Sequence, residues 1–169
     1  MANAQTKIEQ ARSHIGIKDH INKKFFVGTA ESEHVEMYLK AMWHLKETGE
    51  QIKVNKIAKI LNVRQPSVVQ MLKRLNAQNL VIYNKTGVTM TENGERIAAK
   101  MIRNSRLLEM LMTKTLKMDI NAKMVCGMEH HMDDYFADAL CTLLGHPEKS
   151  PRGEKIPRGN CCERMLKES

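Results

Sequence analysis

The stretch VNKIAKILNVRQPSVVQMLKRLNAQNLVIYNKTGVTMT, residues 54–91, decides the fold. Its first eight residues place apolar side chains at helical spacing, and Asn62 closes that short helix. Pro66 suits the first turn of a second helix, where its missing N–H is no loss. Val68, Val69, Leu72 and Leu75 then form a buried stripe, while Gln70, Lys73 and Arg74 face outward. LVIYN (80–84) is short and β-branched, KTG turns, and VTMT (88–91) returns, which spells a hairpin. Upstream, HVEMYLKAMWHLKET (34–48) carries Val35, Met37, Tyr38, Ala41, Met42 and Leu45 on a helical face, and Gly49 ends it. Helix, helix, helix, hairpin is the order of a winged helix-turn-helix.

Downstream, Thr91 can cap a helix in which Gly94 is tolerated, and residues 92–117 read as one long helix. Residues 119–145 read as two shorter helices. The glycines and prolines from Gly145 to Gly159 mark the remainder as loop or tail. The expected class is mainly α: a winged helix-turn-helix domain (33–95) followed by an all-helical dimerisation domain (96–150). An N-terminal extension (1–32), with a weak helical stripe at Ile8, Ala11 and Ile15, precedes them, and a C-terminal tail (151–169) follows.

Charge singles out the same window. Residues 51–90 hold seven basic residues, Lys53, Lys56, Lys59, Arg64, Lys73, Arg74 and Lys85, and no Asp or Glu. The other 129 residues carry 20 basic and 19 acidic groups, so almost the whole net charge of +8 sits in 40 residues. A localised basic window points to a polyanion, here nucleic acid. Hydrophobic residues make up 42%, enough for a packed interior, and with aromatics at 4% the packing falls to aliphatic side chains and 13 Met. No stretch reaches the ~18 apolar residues of a membrane span, and the N-terminus lacks a signal peptide's apolar run. Cys126, Cys141, Cys161 and Cys162 make no C-x-x-C pair and no secreted disulfide framework. Reduced thiols and a cytoplasmic location are expected, with no membrane partner.

Metal-binding chemistry gathers at Cys126-Gly-Met-Glu129-His130-His131. Positions i, i+3 and i+4 share one helical face, so Cys126, Glu129 and His130 converge. A thiolate, a carboxylate and an imidazole are good ligands for a divalent transition metal. His131, Asp133 and Asp134 are similar in composition, and His130 with Asp134 forms another i, i+4 pair. Two other readings remain on these residues alone. The segment could be helical packing in a metal-independent DNA-binding regulator. It could also be a metalloenzyme site built on His130, His131 and Asp134, although no nucleophile motif or phosphate loop accompanies it.

Taken in order, VEMYLKAMWHLKE (35–47), IAKILNVRQPSVVQMLKRL (57–75), LVIYNKTGVTMTENGERIA (80–98), CGMEHHM (126–132) and GHPEKSPRGEKIP (145–157) resemble the diphtheria-toxin-repressor and manganese-transport-regulator family of metal-dependent repressors. The resemblance covers roughly residues 33–157. It implies a DNA-binding N-terminal domain, a helical dimerisation domain and a metal corepressor at their junction. The function it implies is transcriptional repression in metal homeostasis, without enzymatic activity or a small-molecule substrate. Carried over residue by residue, the ligands are Met37, Cys126, Glu129 and His130. The family's manganese branch carries carboxylates at the positions of Met37 and Cys126. Sulfur at both disfavours Mn(II) relative to Fe(II), Co(II), Ni(II) or Zn(II), and in a reducing cell the implied metal is Fe(II).

Two departures alter the expectation. The histidines of the family's second, ancillary site are replaced by Ser105 and Ala122, with only Glu109 retained, so one metal per protomer, or an unusual second site, is expected. The SH3-like domain of longer members is also expected to be absent, the sequence ending at residue 169. The resemblance further implies a homodimer that sets two copies of the third helix (66–78) in successive major grooves of a pseudo-palindromic operator in double-stranded DNA. Gln65, Pro66, Ser67 and Gln70 would then reach base edges. Lys53, Lys56, Arg64, Lys73, Arg74 and Lys85 would hold phosphates.

Overall fold

The computed structural model describes residues 29–167. The chain divides into two units, Met1–Ser32 and Glu33–Ser169, and the contacts given lie within the second. The stripe expected at Ile8, Ala11 and Ile15 lies outside the described residues.

Helix α1 (Thr29–Glu47) leads into α2 (Val54–Leu61) and α3 (Gln65–Ala77). Asn62 ends α2 in the left-handed region at φ 52°, a conformation Asn tolerates. Strands β1 (Val81–Asn84) and β2 (Gly87–Met90) pair antiparallel, Val81 opposite Met90 and Tyr83 opposite Val88. The turn between them is Lys85–Thr86, held by Asn84 Oδ1 accepting from the Thr86 N–H at 2.9 Å. Val68, Leu72 and Leu75 of α3 are buried with Leu39, Met42 and Leu45 of α1, Ile57 of α2, and Val81 and Val88 of the hairpin. Truncating a wholly buried leucine such as Leu72 would cost about 2–5 kcal/mol.

Helix α4 (Glu92–Met110) starts at Thr91, whose Oγ1 accepts from the Gly94 N–H at 3.2 Å. It reaches from this first core, through Ala98, to a second core, through Leu107 and Leu108. The expected continuation to residue 117 differs: Leu111–Thr115 form a π-helical turn. Thr113 Oγ1 donates to the Glu109 carbonyl at 2.9 Å and competes for that acceptor, which favours a wider turn. Helices α5 (Ala122–Glu129) and α6 (Asp134–Leu143) follow, capped by Asn121 and Asp133 respectively. The segment read as loop or tail has more structure than expected. Lys149 bridges Lys155, Ile156 is buried, and α7 (Asn160–Lys167) inserts Cys161 into the second core. Its short length and high charge hide the helix from a periodicity argument. No described helix is long and apolar enough to cross a membrane.

Gly94 is required rather than merely tolerated. A Cβ there would lie 2.0 Å from the Leu80 carbonyl oxygen, at the base of the hairpin. The Gly94→Ala variant is therefore expected to lose about 3 kcal/mol of stability in urea or thermal unfolding. A loss below about 0.5 kcal/mol would contradict this packing.

Candidate metal centre

Helix α5 presents Cys126, Glu129 and His130 on one face, with ligand atoms all within 4.8 Å of one another. Glu129 has no exposed side-chain surface and His130 has 5%. Helix α1 supplies the opposing side, where Met37 Sδ lies 3.9 Å from Cys126 Sγ. The structure thus brings together two sulfurs, a carboxylate and an imidazole from two helices far apart in sequence.

Neighbours fix their orientation. His130 Nδ1 donates to Glu36 Oε2 at 2.6 Å, which leaves the lone pair of a neutral ring on Nε2, 3.8 Å from Glu129 Oε1. That bond to Glu36 raises the His130 pKa above its ordinary value near 6.5, against burial, which lowers it. Lys40 Nζ lies 2.7 and 2.8 Å from the two Glu129 oxygens and 3.2 Å from Ser105 Oγ. Buried Asn104 of α4 donates to the carbonyls of Glu129 and Met132, at 3.1 and 3.2 Å, and so pins the end of α5. Glu36 and Lys40 were not singled out from sequence. They sit one and three residues from Met37 on the same helix.

The other acidic and imidazole groups go elsewhere. Asp134 pairs with Lys100 at 2.8 Å, Asp133 caps α6, and His131 is mostly exposed. Ser105 accepts from Lys40, and Glu109 Oε1 meets Arg152 at 3.1 Å, its carboxyl pKa raised by burial. Lys40 and Arg152 line one cavity of about 340 Å³ with Ser105, Glu109 and Ala122. With Arg106 on the same wall, three cations line this region.

On the opposite side of the first core, α3 exposes Gln65, Pro66, Ser67, Gln70 and Lys73, with Arg74 half-buried. Lys53, Arg64 and Lys85 are exposed, whereas Lys56 pairs with Glu50 at 2.7 Å. The N-terminal turn of α3 thus exposes polar side chains, while the N–H groups of Ser67 and Val68 donate to the Arg64 carbonyl at 3.0 and 3.3 Å.

Two family models match successive parts of the chain. Residues 31–88 match the family described as iron dependent repressor, N-terminal DNA binding domain. Residues 91–158 match iron dependent repressor, metal binding and dimerisation domain. The diphtheria toxin repressor of Corynebacterium diphtheriae is 33% identical over 125 residues, covering 72% of this chain and 55% of that protein. The chain thus spans about half the length of that relative. A structure of the manganese regulator SloR is 30% identical, with a TM-score of 0.65, covering 74% of this chain and 60% of the other. A manganese-dependent transcriptional repressor in complex with manganese is 27% identical, with a TM-score of 0.67, covering 73% and 58%. With both domain types matched in order across the reading head and the helical region behind it, the chain belongs to the iron-dependent repressor family.

Proposed function

We propose that the protein is a metal-dependent DNA-binding transcriptional repressor of metal homeostasis, with Fe(II) as its corepressor. The observation that carries this reading is the donor set gathered between α1 and α5: Met37, Cys126, Glu129 and His130. The donors fit a divalent transition ion. Two are soft sulfurs, Glu129 is a buried carboxylate that joins them when an oxygen turns from Lys40, and the imidazole is oriented by the carboxylate of Glu36. Once bound, the ion supplies a positive centre that donors of both helices can share.

This chain's residues do the rest. Met37 carries the response into α1, whose Leu39, Met42 and Leu45 pack in the same core as α3. Any ligand that prefers α1 seated on α5 raises the population of that arrangement. Gln65, Pro66, Ser67 and Gln70 face base edges in the major groove, where Gln can read adenine bidentately. Lys53, Arg64, Lys73, Arg74 and Lys85 face phosphates, and Lys56 joins them when it leaves Glu50. A homodimer presents two such heads to a pseudo-palindromic operator. Exposed Tyr135 and the apolar face formed by Phe136 and Leu143 on α6 suit subunit contact.

Three measurements test this reading. Under anaerobic conditions, Fe(II) should tighten binding to an operator fragment by on the order of 5–150-fold. The Cys126→Ala variant should lose that response while keeping its fold. A normal response in the variant, or wild-type binding indifferent to chelation, would refute the ligand assignment and favour metal-independent recognition. Neutralisation of roughly four phosphates per protomer by this set of six cations predicts a log–log salt slope near −7 for the dimer, and a slope near −1 would rule out this footprint. In the apo protein, NMR titration should give His130 a pKa above 6.5, and Glu36→Gln should lower it. An unchanged value in the variant would remove Glu36 as the orienting partner.

A further inference from the structure

A second cluster lies apart from the first ligand set. Cys141 Sγ is 3.7 Å from Cys162 Sγ, and Cys161 Sγ is 3.8 Å from Cys162 Sγ. His146 Nδ1 is 3.7 Å from Cys141 Sγ and 3.6 Å from Cys162 Sγ. All four ligand atoms lie within 4.8 Å of one another. We propose that Cys141, His146, Cys161 and Cys162 form a zinc site of three thiolates and one imidazole that fastens α7 to the second core.

The spacing suits the ion. A tetrahedral centre with Zn–S near ~2.3 Å and Zn–N near ~2.0 Å places neighbouring sulfurs about 3.8 Å apart and sulfur and nitrogen about 3.5 Å apart. Disulfide bonding requires about 2.05 Å, and all four cysteines are free. Ordinary packing of buried thiols could give similar sulfur separations, but it does not explain the convergence. Adjacent residues on a helix stand ~100° apart and do not face each other, yet the sulfurs of Cys161 and Cys162, in the first turn of α7, lie 3.8 Å apart. His146 joins them from the turn after α6. It is held in the left-handed region at φ 54°, with its N–H donating to the Cys141 carbonyl at 2.9 Å.

One basic side chain faces the cluster, although burial pushes the Cys141 thiol up and the Cys161 thiol up to about 12 in the metal-free protein. Arg103, 6% exposed, donates from Nη2 to Cys161 Sγ at 3.2 Å and pairs with Asp138 at 2.8 Å. An N–H donor on a ligating sulfur is a common outer partner of a metal-bound thiolate. The chain makes room for it at Gly159, where a Cβ would lie 2.4 Å from Arg103 Cζ. A cavity of about 480 Å³ lined by Cys141, His146 and Cys162 gives access from solvent. Loading is balanced: Zn(II) takes the Nδ1 lone pair of neutral His146 and the three sulfurs, and three thiol protons pass to solvent.

The test uses the reduced, metal-free full chain. Alkylation with N-ethylmaleimide, read peptide by peptide, should be slowed at Cys141, Cys161 and Cys162 by one equivalent of added Zn(II) beyond that held at Cys126. The same protection should persist in Cys126→Ala. Titration with Co(II) should give the visible bands of tetrahedral thiolate coordination in Cys126→Ala and lose them in the Cys161→Ser, Cys162→Ser double variant. Equal alkylation of the three thiols with and without zinc overturns the site. So do cobalt bands that vanish in Cys126→Ala yet survive in the double variant. Should the double variant fail to fold, the wild-type alkylation result decides. None of these readouts involves DNA, so this site and the proposed repressor function can fail separately.

Discussion

A carboxylate with no exposed surface cannot stand alone in a protein interior. Glu129 is such a group, and Lys40 of α1 meets both of its oxygens. Removing Lys40 would leave that carboxylate buried without its cation, which is destabilising. The contact therefore dictates where α1 sits on α5. Glu36 and Met37 repeat the instruction one turn earlier, toward His130 and Cys126. Three residues on one face of α1 address three on one face of α5. Every functional consequence drawn from the fold passes through that seam.

Helix α4 is what makes the seam matter. Its N-terminal end is buried with the reading head and its C-terminal end with the helical region behind. Between them it buries an unusual run of polar side chains, Arg103, Asn104, Ser105, Arg106 and Glu109. Each has a partner: Asn104 holds the end of α5, Ser105 meets Lys40, Glu109 meets Arg152, and Arg106 meets Glu47 at the end of α1 at 2.9 Å. The Arg106 guanidinium holds the Glu47 carboxyl below the usual range. Arg103 serves the thiol cluster. Polar groups with fixed partners set one relative placement of the surrounding helices, where an apolar stripe would accept several.

The reading head was almost fully legible from sequence. Asn62, Pro66, Thr91 and the stripe Val68, Leu72, Leu75 carry local rules whose outcome does not depend on distant residues. The α5 face was legible too, because Cys126, Glu129 and His130 repeat at helical spacing. Lys40 as partner of Glu129 was not, since the pairing joins residues 89 apart and lysine on a helix ordinarily reads as solvated surface. The π turn at Leu111 escaped because it arises from a single hydroxyl of Thr113. Of the thiol cluster, the adjacent Cys161 and Cys162 read from sequence either as metal ligands or as free thiols, and their partners Cys141 and His146 gave no signal. The cluster's ligands are spread over 22 residues without a C-x-x-C signature, and they meet only because α7 folds back over Arg103.

The central claim is that the α1–α5 seam is the element that responds to the ion. Anaerobic hydrogen exchange, with and without Fe(II), reads it directly. The account predicts that Fe(II) slows exchange together at the backbone amides of residues 35–41 on α1 and 124–130 on α5. Slowing confined to α5, or absent from both helices, would contradict it.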